Sequence, residues 1–192
     1  RSPTTSNPAM APSHRRHEHR MAPAMLTGPE IIDAGVRIDT FAPQFLWILM
    51  IAVPQSELTR KVMGPISSVL ALSLVHLCIV LLAASAPGGT EPVLIFADVF
   101  DPAKNQLDGM VRLFQVRDFV AEEWPHVLLW DLFVGRAIWL DAVGRGVPQV
   151  LMAPSLVLCN GIGPPGLLLY AALCGVTGRG LPAMGYEADE EA

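Results

Sequence analysis

From residue 41 onward, apolar runs alternate with short polar breaks, the pattern of an all-α polytopic membrane protein. In the first run, 41–53, Thr40 is placed as a helix cap and Pro43 falls in the first turn. Its thirteen residues rise only about 20 Å against a hydrocarbon core of about 30 Å. A span must therefore reach back toward Ile31 and tolerate Arg37 and Asp39. The second run, 66–86, holds twenty-one residues without a formal charge, the length of one spanning helix. Its one odd member is His76, an imidazole that can ligate a pigment magnesium, pass protons or hydrogen-bond a neighbouring helix. The third, 124–140, is bounded by Trp124 and Trp139, as interfacial aromatic belts are. The fourth, 150–176, is uncharged over twenty-seven residues but is interrupted by Pro154 and by Asn-Gly-Ile-Gly-Pro-Pro-Gly at 160–166. That motif opens the helix, as a packing kink or as a place where a neighbour or flat ligand comes close. Between the second and third runs, Leu107, Met110, Val111, Phe114 and Val120 recur at helical spacing, as in an interfacial amphipathic helix or an ordinary connector. The predicted fold is four transmembrane helices over 31–176, with one amphipathic helix between the second and third.

Two charges fall inside the third run. A charge at mid-bilayer costs at least about 2.5 kcal/mol, so such groups face protein or water. Asp131 and Arg136 are five residues apart, about 140° around a helix, and do not pair as an i,i+4 couple does. Each needs a partner from elsewhere, either as an interhelical ion pair or as functional groups. Asp141 and Arg145 do have the four-residue spacing of a helix-end salt bridge.

Composition agrees with a membrane protein: 52% hydrophobic and only 16% charged residues, with mean hydropathy +0.42. The net charge of −5 identifies no partner, and no nucleic-acid binding is expected. Cys78, Cys159 and Cys174 lie in apolar runs and read as reduced packing residues. Residues 1–30 are basic and rich in Ser, Thr, Pro and Ala, the composition of a transit segment or of a disordered tail. The cluster His14, His17 and His19 within it is expected to bind metal only adventitiously, so no metal site is predicted. Residues 177–192 form an acidic tail. Basic residues in the short loops, Arg60, Lys61 and Arg145, conflict with the basic N-terminal segment, and no orientation follows.

The run H-x4-D-L-F-V-G-R-x2-W-x-D-x3-R-G, here His126, Asp131 to Arg136, Trp139, Asp141 and Arg145-Gly146, precedes Gly163-Pro164-Pro165-Gly166-Leu167-Leu168-Leu169-Tyr170. With Thr59-Arg60-Lys61-Val62-Met63 and Leu113-Phe114 upstream, it resembles the neoxanthin-synthase-like, or abscisic-acid-deficient-four-like, family over roughly 41–176. Trp130 and Ala137 and the polar loop at 98–123 depart from the family pattern. The resemblance implies a multi-pass protein of a plastid membrane, thylakoid or inner envelope, concerned with converting violaxanthin to neoxanthin. That isomerisation opens an epoxide to a tertiary alcohol while a proton leaves the polyene side, with no redox cofactor or metal required. It calls for an acid and a base in an apolar slot. Carried onto this chain, the resemblance makes Asp131 the proton acceptor, Arg136 its partner or a donor, and His126 a second acid or base. Trp130, Trp139, Asn160, Gly163 and Gly166 then line the xanthophyll slot. The alternative is a non-enzymatic pigment-binding or scaffold subunit of a photosynthetic membrane complex, with His76 or His126 as chlorophyll ligands and a carotenoid at the helix break. The partners on either reading are membrane lipid and carotenoid.

Overall fold

A computed structural model describes residues 27–182. The basic segment through residue 26, with its histidine cluster, and the tail from 183 lie outside them. Thr27 starts the first helix through a capping box: its N–H and hydroxyl donate to the Glu30 carboxylate at 2.8 and 2.9 Å. The helix, α1 (Gly28–Ala52), starts before Ile31, extending as far back as the sequence led one to expect. Pro43 consequently lies inside it rather than in its first turn. The buried stripe of α1 is Ile32, Gly35, Asp39, Pro43, Trp47 and Met50, at helical spacing. Its outer face carries Phe41, Phe45 and Ile48, with Phe45 69% exposed. The polarity is inverted relative to a soluble helix, since a carboxylate faces in and aromatic rings face out.

Short α2 (Glu57–Met63) follows, capped by the Ser56 hydroxyl accepting from the Thr59 N–H at 3.1 Å. Then comes α3 (Ser67–Ser85), nineteen residues apolar on every side and mostly exposed. Among the described residues, α3 alone is both long and apolar enough to cross a bilayer. The helices α4 (Glu91–Val99) and α5 (Gln106–Leu113) form a small unit. In it Asp98 accepts from Lys104 at 2.5 Å and Arg112 at 2.7 Å. These bonds, that of Lys104 first, hold the Asp98 carboxyl below the usual carboxylate range.

The single amphipathic helix expected over 107–120 is not what forms. α5 ends at Leu113, the chain turns through 114–116, and Val120 belongs to α6 (Arg117–Gly144). Phe119 accounts for the break, because its ring meets Phe114 at 5.6 Å and Phe96 at 5.5 Å across the turn.

At 25 and 28 residues, α1 and α6 are about 37 and 42 Å long. They run parallel: Arg117 donates to Asp33, Trp124 to Thr40 and Trp139 to the Pro54 carbonyl, in ascending order along both. Midway, Gly135 receives the Trp47 ring, whose Cζ2 would lie 3.0 Å from a Cβ at that position and whose outer atoms would overlap it. Antiparallel α3 completes a three-helix bundle, with Ile79 against Gly35 and His76 against Glu122.

The fourth apolar run is the main correction to the four-span expectation. It is two helices, α7 (Gln149–Ile162) and α8 (Pro164–Val176), of 14 and 13 residues, each about 20 Å long and short of a bilayer core. They fold back on one another. Gln149 at the start of α7 bonds the Ile51 carbonyl at 2.8 Å, and Cys174 near the end of α8 meets Arg145. Both ends of the hairpin therefore sit at the C-terminal end of α6, while its tip, Gly163, touches Asp131, thirteen residues before that end. Gly163 makes the reversal with φ +64°, and a Cβ on Gly166 would overlap the Cys159 backbone.

The tight seat of Trp47 is directly testable. Gly135→Ala is expected to lower the unfolding free energy of the detergent-solubilised protein by about 1–3 kcal/mol, the usual cost of overpacking. A denaturation midpoint equal to that of the unmodified chain would refute the close approach.

Candidate functional site

Two neighbouring helices, α3 and α6, leave a groove of ≈ 290 Å³ between them. Ile66 just before α3 and Val69, Leu70 and Ser73 within it line one side, Leu129 and Phe133 line it from α6, and it holds His76, His126 and Trp130. Three residues marked by sequence are thus brought together. The His76 and His126 rings meet edge to face at 6.0 Å, and Trp130 lies 6.3 Å from His126 and 5.7 Å from Phe133. His76 Nε2 is 3.0 Å from the Glu122 carbonyl oxygen. A carbonyl only accepts, so Nε2 carries the proton and Nδ1 of the neutral ring keeps its lone pair. Nε2 is thereby taken and cannot also ligate a pigment magnesium. His126 is exposed and has no hydrogen bond among the described residues.

Asp131 follows Trp130 directly, about 100° further round α6, and serves a different neighbourhood. Its carboxylate rests against Gly163 at the start of α8, where the helix dipole favours negative charge. The Cys159 thiol donates to its backbone carbonyl at 3.6 Å, and Asn160 bonds Gln44 of α1 at 3.3 Å. Asp131, Asn160, Gly163 and Gly166 are therefore grouped at the hairpin tip. Among the described residues no hydrogen bond or ion pair reaches the Asp131 carboxylate.

The remaining predicted residues lie elsewhere. Arg136 does not pair with Asp131; its Nε donates to the Met63 carbonyl at 2.7 Å and its Nη2 to that of Gly64, capping the C-terminal end of α2. Trp139, 2% exposed, is a core residue rather than an interfacial one, and its indole N–H meets the Pro54 carbonyl at 3.0 Å. The Asp141–Arg145 pair forms as spaced, and Tyr170 of α8 adds a hydroxyl donating to Asp141 at 2.6 Å. Sequence reading missed Asp39 as an interior group: it is 0% exposed, with both carboxylate oxygens unpartnered. The available signal was its register with Ile32, Gly35 and Pro43.

A family model described as ABA DEFICIENT 4-like matches residues 37–170. The chain belongs to the ABA DEFICIENT 4-like family. The resemblance carried by the third-run motif is therefore borne out, and the family region runs from α1 to Tyr170, covering the groove, the hairpin tip and the α2 cap. Among relatives, the chain is similar to the Arabidopsis thaliana protein named Protein ABA DEFICIENT 4, chloroplastic, at 28% identity over 145 residues. That alignment takes in 76% of this chain and 62% of the relative, so the chain spans less than two thirds of the relative's length. No solved structure matches the chain.

Within this ABA DEFICIENT 4-like chain, the α2 cap separates the roles of Arg136. Arg136→Ala leaves two helix-end carbonyls unpaired and is expected to destabilise the protein by about 1–3 kcal/mol, with faster amide exchange in α2. Arg136→Lys recovers only part, because an ammonium lacks the planar fork. If Asp131→Ala instead reproduced the α2 exchange phenotype, the two charges would be coupled after all.

Proposed function

We propose that the chain is a plastid membrane protein of xanthophyll metabolism, acting in the isomerisation of a violaxanthin-type epoxide to a neoxanthin-type allene, directly or beside the enzyme that does so. The family supports the reaction class, and the relative's printed description, chloroplastic, supports the compartment. The observation that carries the site is the groove where two imidazoles meet an otherwise apolar lining on the outer face of α3 and α6.

In this reading α1, α3 and α6 cross the bilayer and the α7–α8 hairpin enters and leaves from one side. The outward Phe41, Phe45, Leu70, Leu74, Val157 and Leu168 then meet lipid. Charged residues lower the mean hydropathy of α1 and α6, but Asp39, Asp131 and Arg136 all face protein.

The chemistry needs a base at the departing proton and an acid at the epoxide oxygen. The C–H electron pair becomes the new π bond of the allene, the epoxide C–O bond breaks, and the oxygen takes a proton to become the alcohol. Atoms balance without oxidant or metal. His76, with its Nδ1 lone pair, is the proton acceptor, and His126 is the donor. Arg136 is committed to α2, and Asp131 faces the hairpin rather than the groove, so both are read as holding the fold. A pigment-binding subunit is the second reading, favoured by the unbonded His126 imidazole, a ring nitrogen of which would hold the magnesium of a pigment.

Expression in membranes that accumulate violaxanthin is expected to yield neoxanthin on chromatography. His126→Phe or His76→Phe should cut product about 100-fold or more, the scale of lost acid–base catalysis. Asp131→Asn should keep it within about tenfold, less than a lost acid or base would cost. No product, with pigment retained on the purified protein, would favour the binding subunit. The hairpin has its own check: single cysteines replacing Gln149 and Thr177 should both be labelled from the same side of sealed vesicles, whereas a full fourth span puts them on opposite sides.

A further inference from the structure

We infer that the α3–α6 groove seats a single epoxidised ring at one end of its ligand, admitted sideways from the bilayer, with the epoxide oxygen on His126 and the remaining chain lying along the outside of α3. This deepens the xanthophyll reading and rests on it for the choice of ring. At ≈ 290 Å³ the groove falls just below the range of about 300–1,000 Å³ for clefts that enclose a whole small ligand. It can hold a ring, and not a ring with a long polyene.

The lining is graded. Trp130 and Phe133, edge to face, offer aromatic surface to a ring, and Trp130 is 56% exposed, so the groove opens outward rather than into the bundle. Beyond it Leu70, Leu74, Leu77 and Leu81 form an exposed stripe along α3, a path for an apolar tail.

The two imidazoles differ in what they can offer an oxygen. An epoxide oxygen accepts and cannot donate. The His76 N–H is already given to Glu122, which leaves only an acceptor nitrogen there. Ser73 is committed too, its hydroxyl proton going to the Val69 carbonyl at 2.9 Å. Among the described residues two groove side chains keep an uncommitted ring N–H, His126 and Trp130; Trp130 already packs edge to face on Phe133, so the donor that meets His76 is His126. It recognises the oxygen, and His76 does not. Loss of His126 should therefore remove selectivity, while loss of His76 should spare it.

The test uses the full chain in detergent with two probes, 5,6-epoxy-β-ionone and β-ionone, which share the ring and differ by the epoxide oxygen. Binding is read by quenching of tryptophan fluorescence, and Trp130→Phe assigns the signal among the four tryptophans. The epoxide should bind about three- to tenfold tighter, the size of one net hydrogen bond. That ratio should fall to about one in His126→Phe and persist in His76→Phe, and most of the quenching should vanish in Trp130→Phe. His126 is exposed and unbonded, so its replacement leaves the fold intact. Equal affinities, a ratio indifferent to His126, or quenching independent of Trp130 would each overturn the inference. Neoxanthin formation without probe selectivity removes this seat and leaves the function. Probe selectivity without neoxanthin keeps the seat and removes the enzymatic reading.

Discussion

Charged and indole side chains along a helix are held in apolar surroundings where they meet polar partners, and α6 finds such partners at successive levels, with the Asp131 carboxylate the exception. At its start Arg117 reaches Asp33 and Trp124 reaches Thr40. Past the middle, Arg136 closes the end of α2, and Trp139 takes the Pro54 carbonyl beyond α1. At its end Asp141 gathers Arg145 and Tyr170, tying on α8. Several of these acceptors are carbonyls at or beyond helix ends, the backbone groups that have no partner within the helix. Unmade, each would cost about 1–3 kcal/mol. The charges of α6 are thus as much a remedy for the other helices' ends as a burden of its own.

The same economy explains where the glycines fall. Gly135 admits Trp47, Gly163 takes a positive φ, and Gly166 lets α8 lie on α7. A side chain at the first or last would drive apart elements whose polar ends must stay in register. The tip of the hairpin is then fixed at the depth of Asp131, one residue past Trp130. The groove and the hairpin tip are therefore two sides of one turn of α6, separated by the helix itself.

Much of this was legible in the sequence. The charge-free length of 66–86 marked α3, the shortness of the run at 41–53 pointed to a helix that starts near Ile31, and the spacing of Asp141 and Arg145 marked their pair. The five-residue separation of Asp131 and Arg136 correctly denied them each other. What could not be read is what depends on direction or on backbone partners. A run of twenty-seven uncharged residues has the same pattern whether it crosses or returns, and the answer rests on the Gly163 dihedrals and the Gly166 contact. Arg136 found carbonyls, which leave no mark in a pattern of side chains. Trp139 looked interfacial because indoles commonly are, but its N–H had a nearer partner inside.

These facts bear on what the family motif in α6 means. Gly135, Arg136, Trp139, Asp141 and Arg145 each do an identifiable packing or capping task, and Asp131 abuts the hairpin. Of the motif's polar side chains at its defined positions, His126 alone faces the groove with its hydrogen-bonding groups uncommitted among the described residues. A motif dense in charges invites a catalytic interpretation, yet a buried charge with good backbone partners is spent on architecture. A group suited to act on a ligand is one whose hydrogen-bonding capacity is left over when the fold is complete. By that criterion the fold is a scaffold that holds two imidazoles at an outward-facing groove, and the residue of the motif whose hydrogen-bonding capacity is left over is its first.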